Sequence, residues 1–550
     1  MRILLITNKG WSNIGDQVVE NCNRALIRLV MENLGVEDYE LTSRDASVFP
    51  KEYVKTGDAS LLREGEELIR THDMIIFGGA PMFNYRYEKF YGMTEAAIRL
   101  AGRYGKPVIF SGIGVEQYEE ADEKCQFLKR ALNEESCVLQ VTTRDDYDSL
   151  KHYREREDLV IGRVADPAVY CVDLSSVERT RTGKKTVGVF VIRERAFLDN
   201  GYAFDGADYR TFLVQLRESL AAHGYRCRFL TNGYVVDEAF LRQLIDEGIL
   251  PEEECECCIN NPEDVYVRLE DCDAVISARL HPNIISYSFG IPAVGIVWNP
   301  KVAQFYEQIG YPERAIGTEG MTGELVCERV IDAIEHGVIH DEEFRFSIYR
   351  TLFEGIRRAK RIIDAEAESG ASEVGSGAAK VESDAAGVGV TVSDAVALTA
   401  GESAAMWTPE EFHVKLAGLK DLYADDSEAY LDKIGVKFLA AYRRQNTTSV
   451  KLAAVRKKNE ELREKSASQK EKLAAQKEKL ALQKEKLAIQ RENLTAQKEK
   501  LAVMESQTGK LLRELEEQKK ENERLQAQLK RINSHWLVRI YRKIRKLFGA

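Results

Sequence analysis

The sequence predicts an α/β protein of two consecutive doubly wound, Rossmann-like domains, followed by a long α-helical coiled coil. Three observations carry that reading. Short β-branched runs alternate with helical patterns to about residue 368, a polar break near residues 175–185 divides the series in two, and a heptad register runs from Leu452 to Ile532. A chain of 550 residues also exceeds what one hydrophobic core can organise, so several globular units with extensions are expected.

The first domain is placed at residues 1–178. Its expected strands are Arg2–Thr7, Met74–Phe77, Pro107–Phe110 and Val138–Thr143, with a helix through Val18 to Leu29 after the first. Each run ends in glycine or polar loop residues, as a parallel strand feeding a crossover helix does. After the polar stretch SSVERTRTGKK, a second domain at 179–368 repeats the pattern with Thr186–Ile192, Arg226–Leu230, Ala274–Leu280 and Ala293–Trp298, and closes with a helix from about Asp341 to Glu368. Two such halves form a cleft, and ligands gather there at strand C-termini.

Residues 369–405 are rich in Ala, Gly, Ser and Val and read as a flexible linker. Thr408-Pro409-Glu410-Glu411 combines a cap, a first-turn proline and acids against the helix dipole, and so opens a helical segment at 406–450. In the coiled coil, placed at 451–533, one stripe carries Leu473, Leu480, Leu487, Leu494 and Leu501, alternating with Gln469, Gln476, Gln483, Gln490 and Gln497. The 3.5-residue period predicts a homo-oligomer, with Asn459 and Asn522 helping to fix register; a single solvated helix is the alternative. At ~1.5 Å per residue the rod would be about 120 Å long. In residues 534–550, Trp536, Ile540, Tyr541, Ile544, Leu547 and Phe548 interleave with Arg539, Arg542, Lys543, Arg545 and Lys546. That pattern suits a basic amphipathic helix on an anionic membrane surface, or a cap on the rod.

The net charge of −11 argues against bulk nucleic-acid binding. No stretch holds ~18 consecutive apolar residues, and MRILLITNKG reaches polar residues too soon for a signal peptide, so the expected location is the cytoplasm, peripheral to the inner face of the membrane. The ten cysteines have no repeating framework and are expected reduced. Cys255, Cys257 and Cys258 lack the spacing and nearby histidine of a metal site, and no metal is expected there.

Candidate site residues lie at the expected strand ends. In Asn8–Asp16 the glycines at 10 and 15 allow close backbone approach, and the helix that follows presents N–H groups to an anion; Asp16 could equally cap that helix. Gly78-Gly79 and Ser111-Gly112-Ile113-Gly114 end two successive strands and would rim the same cleft, or simply make tight turns. Arg144 is an anion clamp or the partner of Asp145. Arg279-Leu280-His281, at the end of one strand, and Lys301, where the next runs out, join a guanidinium fork to an imidazole able to move protons near neutral pH.

Taken together, the order of these motifs resembles the polysaccharide pyruvyl transferase family over roughly residues 1 to 340. The resemblance rests on Asn13-Ile14-Gly15-Asp16, Phe77-Gly78-Gly79, Ser111 to Gly114, Thr143-Arg144-Asp145 with Ser149, Asp166-Pro167, and Arg279-Leu280-His281 with Pro292 and Lys301. Ala80 stands where the family often has a third glycine.

The resemblance implies a GT-B-like pair of domains and transfer of a pyruvyl group from phosphoenolpyruvate, with no other cofactor, to a sugar of a surface polysaccharide or its lipid-linked precursor, giving a cyclic ketal. On this reading His281 and Arg279 are catalytic, Arg279, Arg144, Lys301, Gly112 and Gly114 hold the donor, and Asn13, Gly15, Asp16, Gly78 and Gly79 face the acceptor. Two other readings stay open: a nucleotide-sugar glycosyltransferase on the same architecture, and a catalytically idle globular part whose rod serves as a membrane-proximal scaffold.

Overall fold

The computed structural model describes residues 1–9, 13–85, 90–180, 183–374, 405–420, 422 and 498–547. Residues 1–435 and 436–550 form two separate compact units.

In the first unit the chain builds β1 (Arg2–Thr7), α1 (Ile14–Asn33), β2 (Glu40–Asp45), α2 (Lys51–Thr56), α3 (Arg63–Thr71), β3 (Met74–Gly78), α4 (Phe90–Arg103), β4 (Val108–Ile113), α5 (Glu123–Glu134), β5 (Val138–Thr143), α6 (Tyr147–Tyr153) and β6 (Val160–Arg163). A second series follows with β7 (Thr186–Phe190), α7 (Ala196–Asp199), α8 (Gly206–Ala222), β8 (Arg226–Leu230), α9 (Val235–Asp246), β9 (Cys255–Glu256), α10 (Pro262–Leu269), β10 (Ala274–Ser277), α11 (Leu280–Ser288), β11 (Ala293–Ile296), α12 (Pro300–Gln308), β12 (Ala315–Ile316), α13 (Gly323–His336) and α14 (Glu342–Val374).

The strands make two parallel sheets, ordered β2-β1-β3-β4-β5-β6 and β12-β11-β10-β7-β8-β9. The strand order reverses at β1 and β3 in the first sheet and at β7 and β10 in the second, and in open α/β sheets ligands bind beyond the strand C-termini at such a reversal. Strands β3, β4 and β5 are buried along their whole length, which explains their continuous apolar or small-residue runs. The edge strands β2 (ELTSRD), which is polar, and β6 (VIGR), which is short, are half exposed, and the sequence did not announce them.

The two sheets share one continuous core. It runs from Ile3 and Leu5 through α1 to Tyr266 and Leu269 of α10, Ile284 of α11, and Tyr349 and Leu352 of α14. Helix α14, which the sequence assigned to the second domain, crosses back onto the first sheet: Gln140 Nε2 donates to the Thr351 carbonyl (2.9 Å) and Arg358 to the Leu139 carbonyl (3.0 Å). It also extends to Val374, past the expected boundary at 368, so the linker expected from 369 begins as helix.

Residues 405–420 return to this body as a strap. Thr408 and Glu411 form a capping box that starts the helix Pro409–Ala417, as its sequence predicts. Phe412, fully buried, packs its ring 4.4 Å from that of Tyr349 and 5.2 Å from that of Tyr170, while Trp407 stacks on Tyr349. Asn33, at the C-terminal end of α1, ties the strap down: it donates to the Ala405 carbonyl (3.0 Å) and accepts from the Trp407 N–H (3.0 Å) and the Tyr349 hydroxyl (2.8 Å).

In the second unit, the helix Lys498–Leu547 is continuous across residue 533, so the expected end of the rod and the basic segment are one helix. Leu511 is 44% exposed, an unpartnered position in the heptad stripe. Most of the expected coiled coil and the remainder of the 406–450 segment lie outside the described residues. Among the described residues no helix is long and apolar enough to cross a membrane.

Candidate active site

The crevice is closed by contacts between the two halves at the N-terminus of α1. Asn13 caps that helix, its side chain accepting from the Gly15 N–H (3.1 Å), and Asn232, beyond β8, donates to the same Asn13 oxygen (2.9 Å). The Ile14 N–H donates to the Asn232 carbonyl (3.0 Å) and the Asp16 N–H to the Asn13 carbonyl (3.1 Å). Asp16 in turn accepts from Asn8 (3.0 Å) and Asn13 (2.9 Å). The first N–H groups of α1 are therefore spent on the loop and the opposite domain, which corrects the expectation that they meet an anion. Residues 10–12 of this loop lie outside the described residues.

His281 sits in the first turn of α11 rather than at a strand end, because β10 stops at Ser277 and Arg279 takes the N-cap position. Its ring is packed on Gly15: a Cβ there would lie 2.6 Å from the His281 Cβ and closer still to Nδ1. Gly15 is thus explained by the close approach of two helix N-termini. The imidazole Nε2 is 3.5 Å from Nη1 of Arg144. Burial first, then the charges of Arg144, Lys301 and Arg279, hold its pKa well below the ordinary imidazole value, so the ring is neutral at pH 7.

Arg144 follows β5 and is buried. Its Nη1 donates to Asp166 (2.6 Å), while its Nε has no partner among the described residues. Burial pushes the Asp166 carboxyl up and the Arg144 guanidinium pulls it back. The neighbouring Asp145 braces the loops, accepting from the Val115 N–H (2.7 Å), the Thr143 hydroxyl (2.8 Å) and the Asp146 N–H (2.9 Å). Its other oxygen is 3.3 Å from Nζ of Lys301. Lys301 lies in the first turn of α12 instead of ending a strand. Gly114 makes room for it, since a Cβ there would come 3.1 Å from the lysine Nζ. Arg144, just beyond β5, thus meets His281 and Lys301 from the first turns of α11 and α12.

Arg279 is placed differently from its expected role. Its guanidinium forms a two-pronged pair with the fully buried Asp237 (2.7 and 2.8 Å) and lies over the rings of Tyr234 and Trp298. It contributes charge to the imidazole from a fixed mount. Asp237, in the first turn of α9, and Asn232, Tyr234 and Trp298, from loops, meet here without any sign of it in the sequence. Packing also requires glycine at other positions. A Cβ on Gly79 would collide with Val19, one on Gly78 would lie 2.8 Å from Asn23, and one on Gly112 would meet Ile348 of α14 at 3.0 Å.

No group of three or more His, Cys, Asp or Glu able to hold a metal occurs among the described residues. All ten cysteines are free, and burial pushes the Cys255 and Cys257 thiols up to about 12.

Over 152 residues the chain is 24% identical to the amylovoran biosynthesis protein AmsJ of Erwinia amylovora, a match covering 26% of this chain and 36% of AmsJ, so the chain spans about a third of that relative's length. In structure it is similar to a UDP-GlcNAc 2-epimerase of Methanocaldococcus jannaschii (TM-score 0.38, 9% identity, 64% of this chain and 98% of that one). It is also similar to one from Neisseria meningitidis (TM-score 0.33, 9% identity, 61% and 100%). The family model for polysaccharide pyruvyl transferase matches residues 13–300, from the Asn13 cap to the first turn of α12, and by that match the chain belongs to the polysaccharide pyruvyl transferase family.

Proposed function

We propose that the protein transfers the pyruvyl group of phosphoenolpyruvate to two hydroxyls of a glycan, releasing phosphate and leaving a cyclic ketal. The observation that carries this reading is a neutral, buried imidazole set among Arg144, Lys301 and Arg279. A donor bearing a carboxylate and a phosphate suits such a ring of cations.

The donor's arrival would change the imidazole. An anion among these cations offsets the charge that holds the His281 pKa down, so the ring can take up a proton and act as an acid. That proton goes to the methylene carbon of phosphoenolpyruvate, and one sugar hydroxyl adds to C2. The imidazole, neutral again, accepts the proton of the attacking hydroxyl. The second hydroxyl then displaces phosphate from C2 and its proton leaves with the phosphate. Arg279 acts as a positioned charge, held by Asp237.

The test is calorimetry on the full chain, titrating phosphoenolpyruvate and then nucleotide sugars at pH 8, where the donor's phosphate is already ionised, in buffers of different ionisation enthalpy. Saturable phosphoenolpyruvate binding with proton uptake, the uptake absent in His281→Ala and the affinity reduced in Lys301→Met, is the expected result. Nucleotide-sugar binding in its place would move the chain to glycosyl transfer.

Beyond the catalytic unit, the interleaved cations and apolar residues at 534–547 continue the helix Lys498–Leu547, with Arg539 and Lys543 exposed. They support a peripheral address on an anionic membrane surface, where a lipid-linked acceptor would be met. The heptad register supports a homo-oligomer.

A further inference from the structure

The strap at residues 405–420 rests on the part of the body that stands behind the candidate site. Asp166, the buried partner of Arg144, caps a short 3-10 turn, Pro167–Tyr170, by accepting from the Ala168 N–H (2.8 Å). Just past that turn, the Val172 N–H donates to the Ser288 hydroxyl (3.1 Å), at the C-terminal end of α11, the helix whose first turn carries His281. The segment 166–174 thus joins the partner of Arg144 to the helix of the imidazole.

Tyr170 is where the strap takes hold. It is fully buried and its hydroxyl finds no hydrogen-bond partner among the described residues, so its place depends on what packs against it. The Arg345 guanidinium of α14 lies over the ring at 4.9 Å, and its Nη2 donates to the Val169 carbonyl (3.3 Å) and to Asp173 (3.0 Å). The strap adds Phe412, edge to face with the ring at 5.2 Å, and His413 at 6.1 Å, whose Nε2 is 3.1 Å from Glu342. No strand of either sheet includes strap residues, so the strap can lift away with both sheets intact, and local opening of that kind costs less than global unfolding.

We propose that the strap is a regulatory clamp on the site: seated, it holds the 166–174 segment firm behind Arg144, and unseated, it lets that segment loosen and the site lose affinity for its anionic ligand. Withdrawal of Phe412 opens space beside Tyr170, the turn that Tyr170 ends slackens, and the cap of that turn is the carboxylate that aims Arg144. An arginine that must be re-aimed on binding grips an anion less well than one already fixed. In sequence the strap stands between the catalytic body and the helix Lys498–Leu547, which places it where events on the C-terminal extension can reach the site. The coupling is reciprocal, so the ligand must in turn tighten the strap. That ligand is the donor of the reading above; the link between strap and turn stands or falls without it.

Amide exchange on the full chain tests the clamp in Phe412→Ala and, as a milder release, in His413→Ala combined with Lys415→Ala, which removes contacts with Glu342 and Glu32 at the surface. Without any ligand, faster exchange in 405–417 should be accompanied by faster exchange in 166–174, with β3 and β4 unchanged. Phosphoenolpyruvate should bind Phe412→Ala about tenfold more weakly than the wild type and should slow exchange of the wild-type strap by a similar factor. A released strap over a turn as protected as in the wild type, phosphoenolpyruvate bound equally well when the strap is released, or a wild-type strap whose exchange bound phosphoenolpyruvate leaves unchanged would overturn the inference. A turn that loosens with the strap in a protein that binds no phosphoenolpyruvate would keep the clamp and remove the donor reading.

Discussion

Gly15 and His281 come from opposite domains and are packed so closely that the glycine has no space for a methyl group. A Gly15→Ala variant must push the imidazole off its seat beside Arg144. Misplacement of a reacting group by about 1 Å can cost on the order of 10²-fold in rate. We expect kcat to fall by about that factor in Gly15→Ala, with far-ultraviolet circular dichroism unchanged.

The depressed pKa of His281 has consequences for pH in two directions. An unfolded chain takes up a proton on this ring below about pH 6.5, whereas the folded protein keeps it neutral. The site's contribution to stability is complete above that pH and is lost as pH falls, since the unfolded state then binds the extra proton. Urea midpoints measured between pH 7.5 and 5.5 should fall more steeply for wild type than for His281→Gln, by up to about 1.4 kcal/mol per pH unit. Because the ring must first carry a proton to give up, removing one of the cations responsible, in Lys301→Met, should move the basic limb of kcat/KM to higher pH.

Asp237 is fully buried beneath Arg279, grips it with both oxygens and also accepts from the Arg193 N–H (2.9 Å). Breaking a buried pair from one side costs about 3–5 kcal/mol. Asp237→Ala should show a loss of that size in equilibrium unfolding. Arg279→Lys, which keeps the charge but cannot grip with two prongs, should lower kcat with KM for phosphoenolpyruvate changed little.

At the far end of α1, Asn33 satisfies three groups of the strap and α14 at once. Asn33→Ala would orphan them and should raise amide exchange throughout 405–417 without altering exchange in β3 or β4. Phe412→Ala should detach the same segment and cost about 3–5 kcal/mol. Protection unchanged in both variants would mean the strap is held by something else.

Truncation after Asn533 should release the protein from vesicles containing anionic lipid, while the full chain binds them and is displaced by salt. Sedimentation with vesicles reads this directly. A truncated chain that still pelleted would place the membrane contact elsewhere.

Much of the fold was legible because its central strands are buried on both faces, and burial leaves a composition that can be read. Val138–Thr143 was placed to the residue for that reason. The edge strands Glu40–Asp45 and Val160–Arg163 face water on one side and carry no such mark. His281, Arg144 and Lys301 were legible as strand-end residues of the right chemistry, and the structure brings them together. The Arg279–Asp237 pair was not, because its halves are 42 positions apart and nothing in either segment names the other. That Gly78 and Gly79 also have to clear Asn23 and Val19 was not legible, since it depends on which helix lies beneath them. The strap's return to α1 was hidden by the residues at 375–404, whose composition says nothing of where the chain goes next.

Helix α1 belongs by sequence to the first sheet, yet both halves clasp it: Asn232 latches its first turn and His281 rests on it. A parting of the halves that breaks this latch also lifts the imidazole from Gly15 and away from Arg144. Any such parting and the seating of the imidazole would then be a single coordinate, so His281 keeps its place beside Arg144 only while Asn232 holds Asn13.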